Sequence, residues 1–175
     1  MTKIYLDMDG VIADFFGGLE SYYQVKHWKD LNIEDAILNL RNTAFFYNLE
    51  ELPNSLDLVD FCQSVKGFEY GICSSPLRGD HNNSAYWKRR WLEARQYMPE
   101  AENCIFTSQK EKFATNTFDG SPNILIDDKP TNIARWNKAG GLGIRYQANE
   151  DDYSEYLIPK LEDAIDFIRS SRFKV

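Results

Sequence analysis

The chain has 175 residues, which is enough to bury one core of ordinary domain size. Apolar residues make up 43% and aromatic residues 14% of the chain, which excludes an intrinsically disordered protein. The formal net charge of -7 disfavours a nucleic-acid polymer as partner, because such binding comes mainly from Lys and Arg on phosphates. A small phosphorylated ligand stays compatible, because a bound divalent cation can reverse the field inside one pocket.

The cysteine spacing and the lack of long apolar runs indicate the cellular compartment of the protein. Cys62, Cys73 and Cys104 are widely spaced and form no Cys-x-x-Cys pair, which favours buried free thiols in a reducing environment. We find no apolar run of the length that a signal peptide or a membrane span needs. We therefore expect a cytoplasmic protein without a membrane partner.

Strand-like and helical patterns alternate along the chain. The predicted strands cover residues 3–8, 68–73, 103–106, 123–126 and 143–146. The predicted helices cover residues 14–26, 33–40, 55–65, 83–97, a start at Asp128 or Thr131 to 139, and 153–170. This alternation predicts an α/β fold with a Rossmann-like parallel sheet and helices on both faces.

The stretch between the first two predicted strands is far longer than a single crossover needs. We predict that residues 16–52 form a small inserted helical cap, and that residues 1–15 and 53–175 form the α/β core domain. The cap is rich in aromatic residues, most of which are expected to pack its own core. Its position suits a lid that excludes water from an active site.

Polar residues follow three of the predicted strands at the point where each strand ends. Asp7 and Asp9 lie where the first strand turns, and residues two apart on a strand point to the same face. Ser74 follows the second strand, and Asp127 with Asp128 follows the fourth. The carboxyl ends of parallel strands meet at one edge of the sheet, where α/β proteins bind ligands. Four aspartates at one place would repel each other, and a hard cation such as Mg²⁺ resolves that repulsion. The pattern therefore predicts a magnesium site.

Residues 6–11 read Leu-Asp-Met-Asp-Gly-Val, which resembles the first motif of the haloacid-dehalogenase (HAD) superfamily. Ser74, directly after a strand, resembles the second motif, and Asp127 with Asp128 resembles the fourth. The resemblance implies the HAD fold with a cap inserted after the first strand. It also implies a phosphate substrate, because the dehalogenases of the superfamily lack the second aspartate of the first motif.

The similarity is closer still to the 5'(3')-deoxyribonucleotidases, and it extends over nearly the whole chain. In that family the first motif continues as Ala-Asp-Phe, as residues 13–15 do here. Residues 45–53 resemble the family's aromatic run ending in Leu-Pro, and residues 74–78 resemble its Thr-Ser-Pro-x-Lys segment. The family's tryptophan before the aromatic run has no counterpart in residues 38–41, Leu-Asn-Leu-Arg, which leaves base selectivity open.

The resemblance implies a role for each motif residue. Asp7 is the expected nucleophile that forms a phospho-aspartate, and Asp9 is the expected general acid and base. Mg²⁺ is expected to bind Asp7, the main-chain carbonyl of Asp9, and Asp127. Ser74 is expected to donate a hydrogen bond to a phosphoryl oxygen.

The third motif of the superfamily is a lysine shortly before the fourth strand, where two lysines compete. Lys110 stands three residues after Thr107, which is the family-like spacing, and Lys112 is the alternative. Either lysine would balance negative charge near the transferring phosphoryl group. Asp128 is expected to orient this lysine or a metal-bound water.

Five residues are predicted to bind the substrate. Phe15 and Phe46 match family positions that face the base, where aromatic rings can stack on it. Ser75, Arg78 and Lys129 flank the site and are expected to hold the phosphate or sugar. For the last two, an ordinary surface salt bridge is the alternative.

The leading hypothesis is a magnesium-dependent phosphatase of (deoxy)nucleoside monophosphates. One alternative is a HAD phosphatase for another small metabolite, such as a sugar phosphate or phosphoglycolate, which a purely polar pocket would favour. The other is a catalytically silent HAD-like binding module. The sequence indicates no oligomeric state, and the run Lys88-Arg89-Arg90 is expected to be a solvated helix face.

Overall fold

The computed structural model describes residues 1–172 and contains one five-stranded parallel sheet. Its strands are β1 (Thr2–Leu6), β2 (Phe68–Ser74), β3 (Cys104–Phe106), β4 (Ile124–Asp127) and β5 (Leu142–Arg145). The strand order is β3-β2-β1-β4-β5, and every neighbouring pair is parallel. The predicted α/β class with a parallel sheet is therefore confirmed.

Helices cover both faces of this sheet. They are α1 (Phe15–Tyr23), α2 (Ile33–Leu38), α3 (Ser55–Ser64), α4 (His81–Ala94), α5 (Pro130–Lys138) and α6 (Ile158–Arg172). Alternate strand residues point to opposite faces, so Ile4 packs in a different apolar cluster from Tyr5. The larger cluster contains residues of α3, α4 and α6, and the smaller one contains Trp136 of α5. The strands are therefore apolar along their length, because the sheet is buried on both faces.

The first strand is shorter than predicted, and this changes how its two aspartates are placed. β1 ends at Leu6, and the Met8 carbonyl then accepts hydrogen bonds from the amides of the three residues 11–13. Asp7 and Asp9 therefore lie in a tight turn rather than on one face of a strand. Gly10 has a φ of 84°, and a Cβ there would lie 2.2 Å from the Asp128 carboxylate. Only glycine fits this turn without strain.

The helix boundaries also differ from the predicted ones. α4 spans His81–Ala94, and it ends before Gln96, whose φ of 60° is left-handed. α5 begins at Pro130, because proline lacks an amide proton and suits the first turn. A π-helical turn, Tyr153–Leu157, precedes α6, which replaces the single predicted helix over 153–170.

The long insertion between β1 and β2 leaves and rejoins the core at one place. The Asp14 amide donates to the Glu50 carbonyl, and the Leu52 amide donates to the Ile12 carbonyl. Both ends of the insertion are therefore held together near the predicted cap boundaries. Aromatic rings of the insertion pack on one another, as Tyr22 does on Phe45, and Phe45 also belongs to the same apolar cluster as the sheet. The insertion packs directly on the α/β core.

Two further features bear on the predicted compartment. Cys62 and Cys73 are buried free thiols, and Cys104 is a partly buried one. Within residues 1–172, none of the helices combines the length and apolarity that a transmembrane span requires.

Candidate active site

Three polar side chains lie at the carboxyl ends of three neighbouring strands. Asp7 follows β1, Ser74 ends β2, and Asp127 ends β4. Since β1 lies between β2 and β4, the strand order brings these residues together at one edge. The chain runs from β1 outward to β3 on one side and then continues on the other side with β4. This edge is therefore the switch point of the topology, where α/β folds bind ligands.

Lys110 joins the two buried aspartates of this edge. Its Nζ lies 2.9 Å from Asp7 Oδ1 and 2.7 Å from Asp127 Oδ2, and the residue is 2% exposed. Lys110 opens a short 3₁₀ helix, Lys110–Phe113, that follows β3. Lys112 is exposed and lines a separate depression together with Met1 and Lys3. Of the two competing lysines, the structure brings only Lys110 to the aspartates.

The charge of Lys110 separates the titration of Asp7 from that of Asp127. Burial alone would raise the pKa of Asp127, but the charge and hydrogen bond of Lys110 outweigh it and lower that pKa. Hydrogen bonds from the Lys129 amide at 2.9 Å and the Asn132 side chain at 3.1 Å add to the effect. Burial, followed by the charge of Asp127, raises the pKa of Asp7 to about 7. Asp127 is therefore ionised at neutral pH, whereas Asp7 needs a further positive charge to stay fully ionised there.

Asp7, Asp127 and Asp128 form a cluster suited to a hard cation. One oxygen of each lies within 4.8 Å of the others. Burial, followed by the charges of Asp7, Asp127 and Asp9, raises the pKa of Asp128 to about 9. Divalent cations such as Mg²⁺ take carboxylate oxygens as ligands and would relieve this repulsion. The residues present thus fit a metal site, with Asp128 as a third side-chain donor where a supporting role was predicted.

The second lysine of the site was not predicted. Lys88 is 1% exposed, and its Nζ donates to Asp9 Oδ2 at 3.1 Å, Ser74 Oγ at 2.8 Å and the Ser75 carbonyl at 2.9 Å. The expectation that residues 88–90 form a solvated face is therefore wrong for its first member. The signal was in the sequence: the buried residues of α4 recur at helical spacing as Ser84, Ala85, Lys88, Trp91 and Leu92. A lysine within such a stripe faces the interior.

A cleft of about 470 Å³ opens over these groups. It is lined by Asp7, Asp9, Phe15, Phe16, Ser75, Lys110, Asp127, Asp128, Lys129, Pro130, Asn132, Arg145 and Gln147. A larger depression of about 640 Å³ lies between β5 and α6, but Asp163 is the single carboxylate in its lining. The smaller cleft is therefore the candidate site, because its lining includes the buried Asp7 and Asp127 together with Lys110.

Two adjacent aromatic rings form one wall of the cleft. Phe15 and Phe16 both line it, and Phe16 packs on Trp28 with ring centroids 4.6 Å apart. Phe46 is 4% exposed and does not line the cleft. Its ring stacks behind Phe15 at 6.2 Å and lies 4.8 Å from Lys88 Nζ. Phe16 was not predicted as a substrate-binding residue, because its position beside Phe15 on α1 gave no sign that both rings line the cleft.

Two of the three polar residues that were predicted to bind the substrate line the cleft. Ser75 and Lys129 line the cleft, whereas Arg78 is exposed outside it and its carbonyl accepts a hydrogen bond from Arg41. Arg145, which was not predicted, lines the cleft and donates to the Asp128 carbonyl. The mouth of the cleft therefore carries two cations, Lys129 and Arg145.

The chain is similar in sequence to curated nucleotidases, although no family model matches it. The chain is 26% identical over 152 residues to the mitochondrial 5'(3')-deoxyribonucleotidase of Mus musculus, covering 73% of this chain and 64% of that protein. It is also 26% identical over 152 residues to the human cytosolic-type 5'(3')-deoxyribonucleotidase, covering 74% and 72%. The chain thus spans less than two thirds of the mitochondrial relative.

Solved structures share the fold at low sequence identity. A HAD family hydrolase from Deinococcus radiodurans R1, with bound phosphate and sodium, matches with a TM-score of 0.61 and 12% identity, covering 93% of this chain and 87% of that one. A putative HAD hydrolase from Bacillus subtilis bound to magnesium matches with a TM-score of 0.56 and 12% identity, covering 95% and 98%. The chain therefore has the fold of these HAD hydrolases. Its sequence is similar to those of the 5'(3')-deoxyribonucleotidases.

Proposed function

We propose that this chain is a phosphoric monoester hydrolase that works through a phospho-aspartate on Asp7. The observation that carries the proposal is the buried Asp7 carboxylate, held 2.9 Å from Lys110 in a carboxylate cluster. Asp9 lies two residues further along the chain and lines the same cleft. A nucleophile, an acid and a site for a cation are therefore present at one strand end.

In the first step, an Asp7 carboxylate oxygen attacks phosphorus and the bond from phosphorus to the leaving oxygen breaks. Asp9 enters this step protonated and gives its proton to the leaving oxygen, which departs as an alcohol. The Ser74 hydroxyl donates a hydrogen bond to a phosphoryl oxygen. The Lys110 ammonium, held beside Asp7, balances the negative charge that the phosphoryl group brings.

In the second step, water attacks the phosphorus of the phospho-aspartate. Asp9, now a carboxylate, accepts a proton from this water. The bond between phosphorus and the Asp7 oxygen breaks, which releases inorganic phosphate and restores the Asp7 carboxylate. Asp9 ends the cycle protonated, so protons balance over the two steps.

Magnesium is the cation we propose for the carboxylate cluster. Asp7, Asp127 and Asp128 would hold it, together with the predicted main-chain carbonyl of Asp9. When bound, it would neutralise charge on the phosphate and keep the Asp7 carboxylate ionised. The pKa of Asp7, which its surroundings raise to about 7, supports a role for such a charge at neutral pH.

The substrate we propose is a (deoxy)nucleoside monophosphate. The rings of Phe15 and Phe16 line the cleft and offer faces on which a base can stack, at roughly 1–3 kcal/mol per base. Lys129 and Arg145 at the mouth can hold sugar or phosphate oxygens. We propose residues 16–52 as the cap, since its first residue contributes one of these rings. The unpaired thiols support the expected cytoplasmic location.

The first experiment is a phosphate-release screen over nucleoside monophosphates, sugar phosphates and phosphoglycolate, with and without Mg²⁺. The proposal expects Mg²⁺-dependent release that is fastest with a nucleoside monophosphate. Faster release from a sugar phosphate or phosphoglycolate would favour the other phosphatase hypothesis. Absence of release from every substrate with Mg²⁺ present would favour a silent binding module.

The second experiment tests base stacking. Phe15→Ala and Phe16→Ala should each lower kcat/KM for a nucleoside monophosphate by about 10–100-fold, while activity on a sugar phosphate changes much less. Phe46→Ala tests whether that buried ring also contributes, as its family position predicts. Tyr47→Ala is the matched control, because this cap ring packs on Trp87 outside the cleft. Equal losses on both substrates would mean that the rings only support the cap.

A further inference from the structure

Lys88 uses every proton of its ammonium group inside the protein. Its three donors match three acceptors: Asp9 Oδ2, Ser74 Oγ and the Ser75 carbonyl. Its Nζ also lies 4.8 Å from the centre of the Phe46 ring, and the residue is 1% exposed. Lys88 therefore has no donor left for a phosphate, so any effect on catalysis must act through the groups that it holds.

The first of these groups is the Ser74 hydroxyl. Its oxygen accepts the Lys88 hydrogen bond at 2.8 Å, so its own proton points away from Lys88. Within residues 1–172, the hydrogen bonds of the structure give this hydroxyl no protein acceptor. Lys88 thus leaves Ser74, which is fully buried beneath the cleft lining, as a donor whose proton no described residue accepts.

The second group is the Asp9 carboxyl. Lys88 holds Oδ2 at 3.1 Å, which marks this oxygen as an acceptor. Oδ1 is buried and has no hydrogen-bond partner among the residues that the structure describes. The two oxygens are therefore distinct, and the hydrogen bond from Lys88 fixes which of them the Asp9 carboxyl turns toward the lysine. Without Lys88, the carboxyl group could rotate and exchange them.

We propose that Lys88 is a positioning residue that orients both Asp9 and Ser74 for phosphoryl transfer. This inference rests on the proposed function. It assigns to α4 a task on the leaving-group side of the site, while Lys110 serves the nucleophile side. The Phe46 ring packs against the Lys88 ammonium group, with 4.8 Å between Nζ and the ring centre. This contact gives the cap residue a role that requires no contact with a base.

The test compares Lys88→Met with Arg90→Met, an exposed residue of the same helix that pairs with Glu93. The measured quantity is kcat/KM, which reports steps through release of the leaving group, for a nucleoside monophosphate and for p-nitrophenyl phosphate. An alkoxide leaving group needs a proton from Asp9, whereas p-nitrophenolate departs without one. We expect Lys88→Met to lose about 100-fold on the nucleotide and at least tenfold less on the aryl phosphate. Arg90→Met should match the wild type on both.

Two outcomes would overturn the proposal. Equal losses on both substrates, arising from a raised KM, would show that Lys88 binds the phosphate itself. A lowered melting temperature with unchanged kcat/KM would show that Lys88 only stabilises the fold. If Lys88→Met does not fold, Lys88→Gln, whose amide keeps two donors, should show a weaker form of the same substrate difference, and equal losses there would also refute it.

A structural readout separates this proposal from the proposed function. If the wild-type protein releases no phosphate from either substrate, the proposed function fails while the orientation claim stays testable. A crystal structure of Lys88→Met, or of Lys88→Gln, then decides it. Asp9 and Ser74 in altered rotamers would support orientation by Lys88, whereas both side chains in unchanged rotamers would overturn it.

Discussion

Replacing Lys110 by methionine tests the centre of the site most directly. Methionine has nearly the length of lysine but no charge, so the cavity stays filled. The change removes one charge-assisted hydrogen bond of 2.7 Å to Asp127 and one ion pair of 2.9 Å with Asp7. Both carboxylates are buried, and neither has another ammonium group within 4 Å among the residues described.

The expected effects are large for both rate and stability. A preorganised donor aimed at developing charge is worth about 2.7–4 kcal/mol, which corresponds to a loss of about 10²–10³-fold in kcat. Removing one partner of a buried ion pair costs about 3–5 kcal/mol of folding free energy. Part of that cost is avoided at neutral pH, because the pKa of Asp7 would rise above its value of about 7 and the carboxyl would take up a proton.

Lys112→Met is the matched control, because it removes an exposed lysine of the same short helix. Phosphate release with saturating Mg²⁺ measures the rate, and urea unfolding of the metal-free protein measures stability. Lys112→Met should stay within about 0.5 kcal/mol of the wild type, as surface substitutions do. A larger rate loss for Lys112→Met than for Lys110→Met, or wild-type kcat in the Lys110 variant, would refute the assignment.

Three further predictions follow from the same geometry. Asp7→Asn should abolish turnover while the circular dichroism spectrum stays that of the wild type, because an amide is a poor nucleophile; near-normal turnover would remove Asp7 from that role. Asp9→Asn should lower kcat by about 10²–10⁴-fold, yet calorimetry should show a smaller loss of Mg²⁺ affinity than for Asp127→Ala; the opposite ranking contradicts the roles. Raised pKa values near 7 for Asp7 and near 9 for Asp128 mean that the folded metal-free protein binds more protons than the unfolded chain. Its urea stability should therefore fall from about pH 4 to pH 9, and stabilisation by Mg²⁺ should grow; a flat profile would refute the raised pKa values.

The sequence predicted the strand-end residues well, because the apolar strands and the polar residues after them are local signals. Asp7, Ser74 and Asp127 lie where the pattern indicated. The turn after β1 was harder to predict, since its hydrogen bonds to the Met8 carbonyl form only when the chain folds back on itself. Position along the chain does not reveal whether Asp128 faces Asp7 and Asp127, because that depends on close packing against Gly10.

The helical residues of the site show a different limit. Lys88 lies on the buried stripe of α4, so its helical phase contained the signal, but a run of three basic residues favours a solvated surface when read as composition. Phe15 and Phe16 illustrate the opposite case. They are neighbours, and packing brings both rings to the cleft, as in the contact of Phe16 with Trp28 within the insertion.

The charges of the site lead to one conclusion about its cation. Asp7, Asp9, Asp127 and Asp128 converge there, and Lys88 and Lys110 are the two ammonium groups that the described residues pair with them. Each lysine holds a different part of the set, so the residual negative charge falls on the cluster that Asp128 joins. Two carboxylates then remain unbalanced when all four are ionised. A divalent cation such as the proposed Mg²⁺ would neutralise that remainder. The two buried lysines thus set the charge that a bound metal would have to supply.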